Sequence, residues 1–171
     1  MATTTIHNVQ DLVPVLRRME KFTLQTQRLF RAAMEESVLE LERAVVERTP
    51  TGVGDSATGH LRGSVFSEVR GQEVNLFGIV ASSALYAPAV EYGSRPHWPP
   101  KGALNSWVHL IMGVPEAEVP RVEYLVRRAI SRRGTRARHM FEQGWHAALP
   151  QIRMAFLKAF SDAAKEIGRG G

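Results

Sequence analysis

Between Tyr86 and Pro100 the chain reads YAPAVEYGSRPHWPP, with four prolines, two tyrosines and a tryptophan in fifteen residues. Proline fixes φ and donates no backbone hydrogen bond, so this stretch cannot be a long helix or a long strand. It divides the chain into a part before it and a part after it. Its large aromatics have to find cover, against the chain's own core or against a partner. Gly93 inside it is expected to take a positive φ that lets the chain reverse.

The part before the proline-rich stretch reads as helix and then sheet. Residues 8–20 suggest a short helix with Asn8 as N-cap and an irregularity at Pro14. A longer helix is expected from about Thr23 to Arg48. Its apolar stripe is Phe30, Met34, Val38, Leu41 and Val45, spaced as one helical face. TPTGVGDSATGH then makes a loop, through Pro50 and three glycines. GSVFSEVR, GQE and VNLFGIVAS follow as strand, turn and strand. The second strand is apolar on both faces and is expected to lie centrally in a sheet or be covered on both sides.

The part after it reads as helices. ALNSWVHLIMGV is expected to bury Leu104, Trp107, Val108 and Ile111. PEAEVPRVEYLVRRAISRR is expected to bury Val122, Leu125, Val126, Ala129 and Ile130, and to end at Gly134. A last helix, from about Leu149 to Ile167, carries Ile152, Phe156, Ala159, Phe160, Ala163 and Ile167 on one face. Phe141 and Trp145, beside the small Gly144, read as core residues. The expected fold is α+β: a long N-terminal helix and a C-terminal helix packed on a small antiparallel β-sheet. Its length fits a single domain over residues 1–171, with a helical insertion over residues 101–133.

Few reaction chemistries find support. The chain has no cysteine, which excludes disulfides, thiolate metal sites and a cysteine nucleophile. It shows no nucleophile elbow, no phosphate-binding glycine loop, no dinucleotide fingerprint and no zinc-protease motif. Its histidines, His7, His60, His97, His109, His139 and His146, include no pair on one helical face with a carboxylate at ligand spacing. Asp55 with Ser56, in the glycine-rich loop, reads as loop solubility. No catalytic residue, cofactor or metal is expected. No secretory signal is evident, and no apolar run approaches the length of a membrane span, so no membrane association is expected.

Charge is uneven along the chain. Residues 1–85 carry 9 basic and 10 acidic side chains, and residues 86–171 carry 13 and 7. Six arginines fall between Arg127 and Arg138. Three readings of that run stand open: a solvated face, phosphate contact, or contact with an acidic protein. Within the proline-rich stretch, Tyr86 and Val90 are expected to pack inside the subunit. Glu91, Tyr92, Arg95, His97 and Trp98 are candidates for contact with another subunit or a partner. Glu91 and Arg95 are also placed to pair with each other.

Four blocks, in order, carry a resemblance: AVVERTP closing the long helix, TGHLRGSV opening a strand, YAPAVEYGSRP, and RRGTRARHMFEQGWHAAL entering the last helix. Together they resemble the neck and tail-completion proteins of long-tailed bacteriophages, over about residues 35–165. The loop between Pro50 and Thr58 is longer than is common in that family, and the insertion from Lys101 to Arg133 separates the third block from the fourth.

The resemblance implies a non-catalytic virion protein, assembled in the host cytoplasm and placed at the neck or the top of the tail. Its stations there include neck, tail completion and tail terminator. It implies a homo-oligomeric ring, six-fold by analogy with tail symmetry or twelve-fold on the portal side. Neighbours would be neck, head-closure or tail-tube proteins. Arg132, Arg133, Arg136 and Arg138 would then be placed to face genomic DNA in the lumen. The alternative is a nucleic-acid-binding phage protein that uses the stretch from Arg127 to Arg138.

Overall fold

A computed structural model of the chain describes residues 12–51, 59–72 and 75–169, with side chains placed at 24–51, 59–72 and 75–166. The expected cap at Asn8, the Asp55–Ser56 loop and the connection at residues 73 and 74 lie outside these residues. The fold is α+β, with a long N-terminal helix, a two-stranded antiparallel sheet and a C-terminal helix that packs on the N-terminal one.

Helix α1 runs unbroken over Leu12–Arg48, where the sequence suggested two helices. Pro14 is its third residue. Its missing N–H falls among the first few, which have no intrahelical acceptor in any helix. No glycine or proline lies between Pro14 and Arg48 to interrupt it. The helix stops where Pro50 disfavours helical geometry at the residue before it. Thr49 is buried there, and its Oγ1 donates to the Val45 carbonyl at 2.8 Å.

The strands β1 (Val65–Gln72) and β2 (Asn75–Ser82) form a hairpin with Val65 opposite Ser82 and Gln72 opposite Asn75. Its inner face lies on α1. A Cβ on Gly78 would come within 2.5 Å of Val38 Cγ1 and 2.8 Å of Met34 Sδ, so only glycine lets β2 lie this close. Ser67 Oγ donates to Glu42, and Arg31 donates to the Gly71 carbonyl at 2.8 Å. The outer face carries Phe66 and Phe77, both exposed. The doubly apolar β2 is thus not central: it forms one edge of a two-stranded sheet, and Phe77 is 61% exposed.

Helix α6 covers Met140–Arg169 and passes through Pro150. It begins nine residues before the expected start, because its N-terminus is held from outside (below). Proline inside a helix forgoes one hydrogen bond, and packing on α1 holds the helix on both sides of it. The two helices run antiparallel: Gly144 lies against Val45, while Ala155 and Ala159 pack with Ala33, Leu29 and Phe156 farther along. Phe30 meets Phe156 at 6.1 Å and the edge of Phe160 at 4.7 Å between ring centres. The interface is largely small: Ala33, Ala155, Ala159 and Ala163 are buried, whereas Phe160, expected inside, is exposed at the rim.

A short turn, α2 (His60–Gly63), precedes the hairpin; between the hairpin and α6 lie the short α3 (Ala87–Tyr92), then α4 (Asn105–Leu110), a 3-10 turn (Glu116–Glu118) and α5 (Val119–Arg133). Helix α4 is shorter than expected and buries Val108 but leaves Ile111 exposed. Helix α5 buries Val119 and Glu123, while Leu125 and Ala129, expected inside, are exposed. The reason is that a polar pair, not the leucine, is turned toward the proline-rich segment.

Candidate functional site

The third and fourth blocks cross at one point. Ser94 and Thr135 form an isolated antiparallel bridge, each N–H donating to the other's carbonyl at 3.1 Å. Thr135 Oγ1 also donates to Ser94 Oγ at 2.9 Å. Two glycines flank the bridge. Gly93 has φ 74 and ψ −178, and Gly134 has φ 69 and ψ −159, a region open in practice to glycine alone. A Cβ on Gly134 would sit 1.9 Å from the Ser94 carbonyl oxygen, and one on Gly93 would sit 2.5 Å from that of Thr135. The positive φ expected at Gly93 is present. Beyond the bridge, Arg138 N–H donates to Val90 and His139 N–H to the Glu91 carbonyl.

Glu91 has the most consequential place. It is 5% exposed, turned inward, and its carboxylate accepts from the backbone N–H of Phe141 at 3.0 Å and of Glu142 at 3.2 Å. These are free donors at the start of α6. The residue just before the helix would normally serve them with a short polar side chain, but here it is His139, held at φ 53. Glu91 supplies that cap from fifty residues away in sequence, and its charge also suits the positive end of the helix dipole. His139 Nδ1 lies 2.9 Å from Glu142 Oε2, closing the first turn. Glu91 was expected to meet another subunit or to pair with Arg95; within the subunit its carboxylate is engaged by α6 rather than by Arg95.

Around this crossover the other blocks gather. Leu61, Ala84, Ala87, Val90 and Met140 form one buried cluster, with Tyr86 and Phe141 packed on it. Tyr86 and Val90 therefore pack inside, as the sequence suggested. Arg62 Nε donates to the Thr49 carbonyl at 2.8 Å, tying the second block to the end of α1. Ser64 Oγ lies 2.7 Å from Ser82 Oγ and joins the two ends of the hairpin. Trp145, expected in the core, is exposed on α6.

The outward side of the proline-rich segment carries the remaining candidates. Tyr92 is 77% exposed, and Arg95 and His97 are exposed beside it. His97 Nδ1 donates to the Arg95 carbonyl at 2.9 Å. Trp98 is half exposed and leans on Tyr124 of α5, with ring centres 6.2 Å apart. The Arg127 guanidinium lies 5.7 Å from the Trp98 ring centre, and its Nε donates to the Pro99 carbonyl at 2.8 Å. Glu123 accepts from Gly102 N–H at 2.6 Å and lies 3.9 Å from Arg127. Arg127 is thus an internal anchor, unlike the rest of its run. Arg132, Arg133, Arg136 and Arg138 are all exposed, and none forms an ion pair with a described residue.

Tyr124 was not singled out from the sequence. The signal available was the Glu123/Arg127 spacing of i, i+4, which marks a pair on one helical face and so turns Tyr124 and Arg128, each one residue on, about 100° around the helix from it. Among the described residues no group of three or more His, Asp and Glu could hold a metal ion, and no helix is long and apolar enough to cross a membrane. The chain matches no protein-family model, no curated protein and no solved structure.

Proposed function

We propose that this chain is a structural subunit of the head–tail junction of a tailed bacteriophage, at the neck, tail-completion or terminator station. It works as a homo-oligomeric ring, six-fold by preference, that joins tail to capsid without catalysis. The observation that carries this reading is the convergence of the four sequence blocks on one crossover. Their polar groups hold the chain to itself: Glu91 on the α6 N–H groups, Arg62 on Thr49, Ser94 on Thr135. In a catalytic block such groups would converge on a cleft. What the third block leaves outside is Tyr92, Arg95, His97 and Trp98, a strip of aromatic and basic side chains of the kind enriched at interfaces.

Particles assembled without the protein test it. Heads and tails that fail to join, or tails that end at faulty lengths, are the expected outcome; infectious particles of normal form overturn the reading. Mass measurement and negative-stain images of the assembled protein then give the ring its stoichiometry.

A second reading, binding to nucleic acid, is favoured by the unpaired exposed arginines Arg132, Arg133, Arg136 and Arg138. In a ring they would line the path of the genome. A steep fall of DNA affinity with salt is its signature.

A further inference from the structure

The arginine surface is larger than the run that drew attention to it, and differently placed. Between Val119 and Phe141 the only carboxylate is Glu123, and it is buried beneath α5. The opposite face of α5 presents Arg121, Tyr124, Leu125, Arg128 and Arg132, all exposed. Their spacing of i, i+3, i+4, i+7 and i+11 places them on one helical stripe. From Arg121 to Arg132 this stripe runs about 16 Å at 1.5 Å per residue. Arg95 extends it, because its backbone abuts Gly134 where α5 ends: a Cβ there would lie 3.0 Å from the Arg95 carbonyl carbon.

The stripe is also braced. Arg127 and Glu123 fasten the inner side of α5 to the backbone at Pro99 and Gly102, and Trp98 lies against Tyr124. Glu116 and Glu118 stand exposed where α5 begins, but Arg121, Arg128 and Arg132 form no ion pair with a described residue, and a braced row of guanidinium groups loses little freedom on meeting a rigid polyanion. All of its cations are arginine, whose planar fork matches phosphate oxygens.

We infer that the outward face of α5, through Arg121, Arg128 and Arg132, docks on the phosphate backbone of duplex DNA without reading its sequence. The partner follows from charge and shape. The arginines are spread along a straight, convex helix, which suits successive phosphates of a stiff rod. Trp98 and Tyr124 lean on each other and so are poor platforms for unstacked bases, which single strands would require. This deepens the second reading above, moving the main contact from the crossover arginines onto the helix.

The test uses the full chain and a fluorescent 30-base-pair duplex of mixed sequence, with binding followed by anisotropy between about 50 and 200 mM salt. Changing Arg121, Arg128 and Arg132 together to Gln is expected to weaken binding at least about tenfold and to flatten the salt slope by about 1 per arginine removed. Circular dichroism and the melting midpoint should stay at wild-type values. The companion variant, with Arg133, Arg136 and Arg138 changed to Gln, is expected to lose less. If only that companion loses binding, nucleic-acid binding stands and the α5 assignment falls. A wild-type chain that does not bind duplex, or binds without salt dependence, overturns both. Tighter binding to a single strand, abolished by Trp98→Ala with Tyr124→Ala, overturns the duplex assignment. Equal displacement by poly-glutamate at matched charge assigns the face to an acidic protein instead.

Discussion

The crossover and the α1–α6 pair hold the chain together by opposite means. At the crossover, backbone meets backbone: a bridge, two glycines in a region other residues avoid, and a carboxylate that caps a helix from another part of the chain. Between α1 and α6 the contact is apolar and mostly small, alanine on alanine with one glycine, joined at one end by Phe30 on Phe156 and on the edge of the exposed Phe160. The first arrangement is specific and brittle. The second is extended and forgiving, because each contact contributes little and neighbours can adjust.

Substitutions can break that contrast. The largest effect is expected from Gly134→Val. Its Cβ would overlap the Ser94 carbonyl and its φ would be strained, so a loss of about 4 kcal/mol or more is expected from combined clash and backbone strain. Chemical denaturation of the variant measures it; a midpoint within error of the wild type would mean the two blocks do not meet. Next comes Glu91→Ala, which leaves the Phe141 and Glu142 N–H groups without their acceptor, at about 1–3 kcal/mol. Hydrogen exchange should show the first turn of α6 losing protection before the rest of that helix. Uniform loss along α6 would deny Glu91 a capping role.

On the helix pair the effects should be no larger. Gly144→Ala puts a methyl within 2.6 Å of Val45 Cγ2 and 3.0 Å of its backbone, and the helices must part slightly, at about 1–3 kcal/mol. A stabilised variant, through alanine's better helix propensity, would show that the pair yields more readily than its geometry suggests. Smallest is Phe77→Ser on the open face of the hairpin. In the isolated subunit it should move stability by no more than about 0.5 kcal/mol. A larger loss on thermal melting would mean that this face is covered.

How much of this was legible in sequence divides along the same line. Periodicity located the α1 stripe, because Val38 and Val45 are buried by continuous packing along one face. It misjudged α5, where the inward positions go to Glu123 and Arg127 because the proline-rich segment offers backbone groups that need polar partners. It began the last helix nine residues late, since nothing local at His139 resembles a cap; the cap is Glu91, and no window on the sequence holds both. The reversal at Gly93 was legible because a glycine among prolines points to a special φ. That Gly134 would meet it was not, since the contact joins positions forty residues apart. Tyr92, Arg95, His97 and Trp98 were placed outside by their chemistry, while Glu91, grouped with them by adjacency, faces the other way.

The Ser94–Thr135 bridge has a topological result. The chain departs the common body at Ser94 and returns to it one hydrogen-bonded pair away, so everything between hangs from a single closed neck. Helices α4 and α5 and the 3-10 turn pack chiefly on one another, and the Glu123 and Arg127 ties run to Gly102 and Pro99, within the same excursion. A gap of only about 5.5 Å between paired Cα atoms separates its two ends. The excursion is therefore a cassette: a short linker could replace it, or a different one be grafted there, without moving the strands, α1 or α6.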